Sequence, residues 1–209
     1  MFFNKNEIFI YIKNKNNCMK EKTNIEKTLN NPFFKIIFFF IVHSYEEIHL
    51  RGLARRLKIS PYSTKKFLDF LVSHDLILEE KKANMRYFKA NISNNVFKHM
   101  KIAFNLKKVY DSGLIDHIQN NVSALSSIVL FGSLARGEDS EESDMDLLVI
   151  GKKKKEFDIT KFGEKLGREI TCFVLSWSEW KDKIKEDKAF YQEIITSGIL
   201  LFGTLPVIE

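Results

Sequence analysis

The chain has 209 residues, 44% hydrophobic and 29% charged, with three prolines and nine glycines. That composition excludes a disordered or low-complexity polypeptide and leaves room for one large domain or two small ones. The net charge of +6 is unevenly divided: residues 1–122 carry 21 basic against 11 acidic side chains, and residues 123–209 carry 12 against 16. A basic half joined to an acidic half suggests two domains with different partners, and the basic half suits nucleic acid.

Two cysteines, Cys18 and Cys172, stand far apart and form no CxxC pair, which argues against a zinc site or a disulfide framework. The apolar run from Phe33 to Val42 contains Lys35 and is far shorter than the roughly 20 residues of a membrane span. The opening "MFFNKNEIFIYIKNKNN" has neither the long apolar core nor the small-residue cleavage site of a signal peptide. A cytoplasmic protein without a membrane partner is therefore expected. His43, His49, His74, His99 and His117 all fall in the first half, and none forms an i, i+4 metal pair.

Residues 1–30 are polar and irregular and receive no role. From Pro32 the pattern tightens. "PFFKIIFFFIV" has proline at a first helical position and is apolar nearly all round, which predicts a buried helix. In "EEIHLRGLARRLKIS", Leu50, Leu53 and Leu57 recur at helical spacing, with Arg51, Arg55 and Arg56 on the other faces. Gly52 inside that helix costs about 1 kcal/mol against alanine unless packing needs a small residue. "SPYSTKKFLDFLVSHDLI" offers Ser60 as N-cap and Pro61 at the first position. Its Phe67, Leu68 and Leu71 face inward, and Tyr62, Ser63, Thr64, Lys65 and Lys66 are expected on the exposed first turns. "LILEEKKANMRYFKAN" reads as two strands joined by a polar turn.

Over Pro32 to Asn91 this order resembles a winged helix-turn-helix, most specifically in "LRGLARRLKISPYSTKKFLDFLVSHDLI". The resemblance implies DNA binding, with Tyr62, Ser63, Thr64 and Lys65 near bases or phosphates and Lys81, Lys82 and Arg86 meeting phosphates from the wing. The rival reading is a protein-interaction module with solvated lysines. Residues 93–122 follow as an expected connecting helix, capped by Ser93 or Asn94, with Gly113 as a candidate break. Its apolar face has two candidate partners, the winged helix and a second copy in a homodimer.

The second half holds "VLFGSLARGEDSEESDMDLLVIG", six carboxylates beside one arginine. "SSIVLFGS" reads as a strand running into a glycine turn, and "DMDLLVIG" as a second strand. Strand alternation puts Asp144 and Asp146 on one side, about 7 Å apart, with Met145, Leu147 and Val149 on the other. Two such carboxylates repel unless a cation lies between them, and magnesium takes oxygen ligands that it shares with phosphates. Gly132 allows close backbone approach to a phosphate, and Ser133 offers a hydroxyl and an N–H at a helix start. Arg136 has two readings, a contact to phosphate or a local salt bridge. The other loop acids read as a solvated loop, and Trp177 and Trp180 as packing residues.

Gly132-Ser133, ten intervening residues, then Asp144-Met145-Asp146 follows the GS–x10–D–x–D signature. With "ARG" and "SDMDLLV", the stretch Ser126 to Gly203 resembles the minimal nucleotidyltransferases of the DNA polymerase β superfamily. The expected fold class is therefore α+β: an N-terminal winged helix (31–92), a connecting helix (93–122), and a small nucleotidyltransferase-fold domain (123–209) with a mixed sheet flanked by helices. The resemblance implies transfer of a nucleotidyl group from a nucleoside triphosphate to an acceptor, dependent on magnesium or manganese, with Asp144 and Asp146 as metal ligands and Gly132, Ser133 and Arg136 at the nucleotide. It also implies a third carboxylate on a later strand. Glu169 is the one acid of "GREITCFVLS", either as base or as part of a two-metal site, against the plainer reading of a surface glutamate. Acceptors among relatives include protein hydroxyls, such as a tyrosine on a HEPN-type toxin partner. The alternative is a DNA-binding regulator whose nucleotidyltransferase domain is inactive or only senses nucleotide.

Overall fold

The computed structural model describes residues 31–154 and 157–208. The extension 1–30, with Cys18, lies outside them.

Helix α1 (Pro32–Val42) starts where Asn31 accepts a hydrogen bond from Phe33 N at 2.9 Å and Pro32 occupies the first turn, which needs no N–H. It buries Ile36, Ile37, Phe39, Phe40 and Ile41, as its all-round apolar pattern demands. A strand of two residues, β1 (Ile48–His49), then leads into α2 (Leu50–Leu57). The turn "KIS" reverses the chain through Lys58, in the left-handed region at φ 56°, and Ser60 caps α3 (Pro61–Ser73). Strands β2 (Ile77–Lys82) and β3 (Met85–Ala90) form the expected hairpin. Strand β1 adds to it in the order β1–β3–β2, a pairing that two residues are too short to signal through alternation.

Gly52 has a packing reason. The ring of His49 caps α2 by accepting from Gly52 N at 3.2 Å, and a Cβ on Gly52 would stand 3.0 Å from that ring. Around Phe40, Leu53, Leu68, Leu71, Phe88 and Phe97 these elements close one apolar cluster. Each such side chain contributes about 1.5–3 kcal/mol on burial.

The connecting segment is two helices rather than one. Asn94 caps α4 (Asn95–Ser112), Gly113 breaks it at φ 83°, and α5 (Leu114–Asn121) follows. The apolar face of α4 is occupied within the chain. Phe97, Met100 and Phe104 pack into the first cluster, while Leu106 and Val109 pack into a second.

That second cluster underlies a mixed four-stranded sheet. Strands β4 (Val122–Phe131), β5 (Met145–Lys153), β6 (Ile170–Leu175) and β7 (Ile199–Gly203) lie in the order β6–β5–β4–β7, with only β5 and β6 parallel. Strand β5 is central and covered on both faces, so it reads as a nearly continuous apolar run. Met145, Leu147 and Val149 meet α4, α5 and α7 (Thr160–Leu166) on one side. Leu148 and Ile150 meet α8 (Trp177–Glu186) and α9 (Lys188–Ser197) on the other. Trp180 is fully buried there and donates through Nε1 to the Pro206 carbonyl at 2.9 Å, whereas Trp177 is 39% exposed. Among the described residues, no helix is long and apolar enough to cross a membrane.

Candidate active site

Strand β4 ends at Phe131 and turns directly into the short helix α6 (Gly132–Arg136). Two features favour glycine there. Its φ of 73° lies in the left-handed region, and a Cβ would collide with Asp146 Oδ2. The Asp146 carboxylate therefore rests against the turn that starts the helix.

Asp146 lies on β5 opposite Phe131, on the face shared with buried Leu148 and Ile150. Asp144 is exposed just before the strand. Burial holds the Asp146 carboxyl above the ordinary aspartate range. The charges of Asp144 and Glu193 push the same way, and Arg136 opposes them. Excess negative charge thus converges on Asp146.

The parallel register of β5 and β6 locates Glu169. Met145 pairs with Ile170, its N–H donating to the Glu169 carbonyl at 2.9 Å, and Asp146 pairs with Thr171. Glu169 therefore stands one step earlier, level with Asp144, and is exposed. The neighbour of Asp146 across the strands is the hydroxyl-bearing Thr171. Cys172 points to the other face, where burial pushes its thiol up to about 11, too high for a nucleophile at neutral pH.

The acidic loop between α6 and β5 keeps Glu138, Glu141 and Glu142 exposed, as its composition suggests, but it buries Asp139. Asp139 is 2% exposed. Its Oδ1 accepts from Asn105 Nδ2 at 3.0 Å and lies 3.5 Å from Lys101 Nζ, and its Oδ2 meets Arg168 Nη2 at 3.4 Å. Lys101 also donates to the Asp139 carbonyl. Glu138 pairs with Lys98 at 2.7 Å and accepts from the Tyr45 hydroxyl, through its carbonyl, at 2.8 Å. Glu141 reaches His43 Nδ1 at 2.5 Å. The loop that delivers Asp144 is thus held by α4 and by the turn after α1. Composition could not show this, because the partners lie 34 to 98 residues away.

Arg136 makes local ion pairs. It donates through Nε to Glu138 Oε2 at 3.2 Å and through Nη1 to Glu193, on α9. Glu193 was not singled out by the sequence: it is one acid of an amphipathic helix 57 residues further on.

In the first half, Tyr62 is 81% exposed and Lys65 is exposed at the start of α3, with Ser63 half-buried and accepting from the Ser60 hydroxyl at 2.9 Å. Thr64 corrects the expectation of an exposed first turn. It is fully buried, and its hydroxyl donates to the Ser60 carbonyl at 3.0 Å, because four residues after the N-cap the helix has turned toward α1 and α2. On the hairpin, Lys81 is exposed, while Arg86 is paired with Asp69 and Glu79, each at 2.6 Å, and Lys82 with Glu47 at 2.6 Å. The hairpin carries less unneutralised positive charge than its lysines and arginine suggest.

Asp146 on β5 and Asp144 just before it offer hard oxygen donors, the donor type that magnesium takes with phosphate oxygens completing its shell. Among the described residues no three His, Cys, Asp or Glu side chains converge as a metal cage.

A family model described as polymerase beta, nucleotidyltransferase, matches residues 113–205. A candidate protein adenylyltransferase of Methanocaldococcus jannaschii is 35% identical over 81 residues, which cover 37% of this chain and 79% of that protein. Among solved structures, a toxin–antitoxin crystal structure with AMP-PNP is 21% identical with a TM-score of 0.32, covering 48% of this chain and 74% of that one. NolR from Sinorhizobium fredii is 19% identical with a TM-score of 0.29, covering 44% of this chain and 97% of that one. With 35% identity across 79% of the archaeal relative and a matching family model over the mixed sheet, the chain belongs to the polymerase beta nucleotidyltransferase family and is a nucleotidyltransferase.

Proposed function

We propose that this nucleotidyltransferase moves a nucleotidyl group from a nucleoside triphosphate, with ATP the first candidate, to a hydroxyl of a protein acceptor. The observation that carries the reading is Asp146 on β5, packed against the Gly132 turn, with Asp144 just before the strand and its charge reaching Asp146. The name of the archaeal relative supports adenylyl transfer to protein.

Asp144 and Asp146 are the residues that would hold magnesium. The ion, when bound, neutralises triphosphate oxygens and offsets the repulsion gathered at Asp146. The chain's own groups do the rest. Gly132 leaves the backbone open to a phosphate, and Ser133 presents its hydroxyl and N–H at the helix start. The acceptor oxygen attacks the α-phosphorus, the bond to the pyrophosphate oxygen breaks, and the hydroxyl proton passes to a base. Glu169, exposed beside Asp144, is the carboxylate proposed for that proton. Glu169→Gln is expected to lower kcat by about 10²-fold or more with little change in nucleotide affinity. An unaltered single-turnover rate would remove Glu169 from the site.

The direct test is incubation with each α-labelled nucleoside triphosphate, magnesium and lysate from the same organism. A label on a discrete protein band supports the reading. No label with any of the four nucleotides would sink it, in favour of a regulator that only senses nucleotide. A HEPN-type toxin is one acceptor class to try first.

A second reading concerns the first half, and the two are compatible. The order α1, α2, turn, α3, hairpin supports a DNA-binding winged helix at residues 31–92, with Tyr62, Ser63 and Lys65 on the presented helix and Lys81 on the wing. The exposure of Tyr62 and the net charge of the basic half favour it. Binding to the DNA upstream of its own gene should weaken steeply with salt. Lys65→Ala should weaken it, and the buried Thr64 should act through stability alone.

A further inference from the structure

Arg136 closes α6 and stands next to the site from which that helix starts. Its guanidinium bridges two carboxylates, Glu138 of the loop and Glu193 of α9. The second is the informative one. Helix α9 packs on both β4 and α6, so Glu193 is delivered to the site by tertiary structure rather than by the loop. Its negative charge reaches Asp146, which places it within the field of the paired aspartates.

An ion pair there has a clear cost and a clear use. With Arg136 39% and Glu193 35% exposed, the pair is screened by solvent and weak. A triphosphate carries several negative charges and forms stronger charge-assisted contacts with a guanidinium than one exposed carboxylate does. Glu193 therefore competes with the nucleotide for Arg136, and loses. Left without its guanidinium partner, it would also add to the negative charge around Asp146.

We propose that Glu193 is a positioning residue of the nucleotide site: it holds the Arg136 guanidinium beside Asp146 in the free protein and yields it to the triphosphate on binding. The inference rests on the reading that the Gly132–Asp146 site takes a nucleoside triphosphate. It makes Glu193 a setter of nucleotide affinity through Arg136, a role that neither the GS–x10–D–x–D motif nor the strand pattern contains.

The test is a double-mutant cycle on the dissociation constant for ATP with magnesium, using the full chain. Glu193→Gln removes the competitor and should tighten ATP binding by about two- to five-fold, the equivalent of one exposed ion pair. Arg136→Ala should weaken binding. Adding Glu193→Gln to Arg136→Ala should then tighten binding less than Glu193→Gln does alone, because no guanidinium is left to compete for and only the direct charge effect remains. A merely structural glutamate would weaken binding when changed, and that result, or equal effects on both backgrounds, would overturn the proposal. Wild-type protein that binds no nucleoside triphosphate would overturn the proposed function and this inference together. Wild-type binding with an unaltered Glu193→Gln constant would overturn the inference alone.

Discussion

Asp144→Ala and Asp146→Ala are each expected to reduce nucleotidyl transfer by roughly a thousand-fold. Metal-held charge stabilisation is worth several kcal/mol, and about 4 kcal/mol corresponds to that factor. The two losses should be far from additive, since on the proposed reading both carboxylates serve one ion. Asp146→Asn is the sharper variant, because it keeps the side-chain shape against Gly132 while removing the charge. It should be as inactive as Asp146→Ala. It should also be no less stable than wild type without magnesium, since burial and the neighbouring carboxylates already oppose the charge of Asp146. Transfer to a defined acceptor, followed with α-labelled nucleotide, reads the first effect, and thermal unfolding with and without magnesium reads the second. Either aspartate variant working within about ten-fold of wild type would remove that residue from the reaction's essential groups.

Asp139→Ala should be the most destabilising single change in the acidic loop. The carboxylate and Lys101 are both 3% exposed at the side chain, and burial holds the Lys101 ammonium below the ordinary lysine range against the pull of Asp139. Truncation leaves that ammonium buried without its counter-charge and strips Asn105 and Arg168 of an acceptor. Breaking a buried pair from one side costs about 3–5 kcal/mol. For a chain of this size that is a fall in unfolding midpoint of roughly 6–20 °C. Replacing both partners, as Asp139→Leu with Lys101→Met, should restore much of the midpoint, because the desolvated charges leave together. It should not restore transfer. The loop would keep its packing but lose the contacts that set where Asp144 enters β5. An unfolding free energy for Asp139→Ala within about 1 kcal/mol of wild type would show the pair to be dispensable.

These two predictions draw on different levels of organisation. Asp144 and Asp146 could be picked out from spacing, because strand alternation is a local rule: residues two apart share a side wherever the strand lies. The same rule separated Met145, Leu147 and Val149 from Leu148 and Ile150, and the two apolar clusters divide along that line. Caps were equally local. Asn94 and Ser60 start their helices as their side chains require, and Ser176 forms a full capping box with Glu179. The order of helices and hairpin up to Ala90 and the glycine turn at Gly132 were likewise written in short segments.

What needed the folded chain were the partners of charged groups. The composition of residues 138–142 describes a solvated acidic loop. The burial of Asp139 within it depends on Lys101 and Asn105 of α4, and its anchoring on Lys98 of the same helix and on His43 and Tyr45 from the turn after α1. The readings of Thr64 and Arg86 changed for the same reason, since exposure and free charge are properties of a neighbourhood. Glu193 had no local mark at all. Backbone periodicity is dictated by bonds and sterics within a few residues, so it can be read along the chain. The field at a carboxylate is summed over whatever the fold brings near it, and for Asp146 that includes Glu193, on a helix that starts only at Lys188.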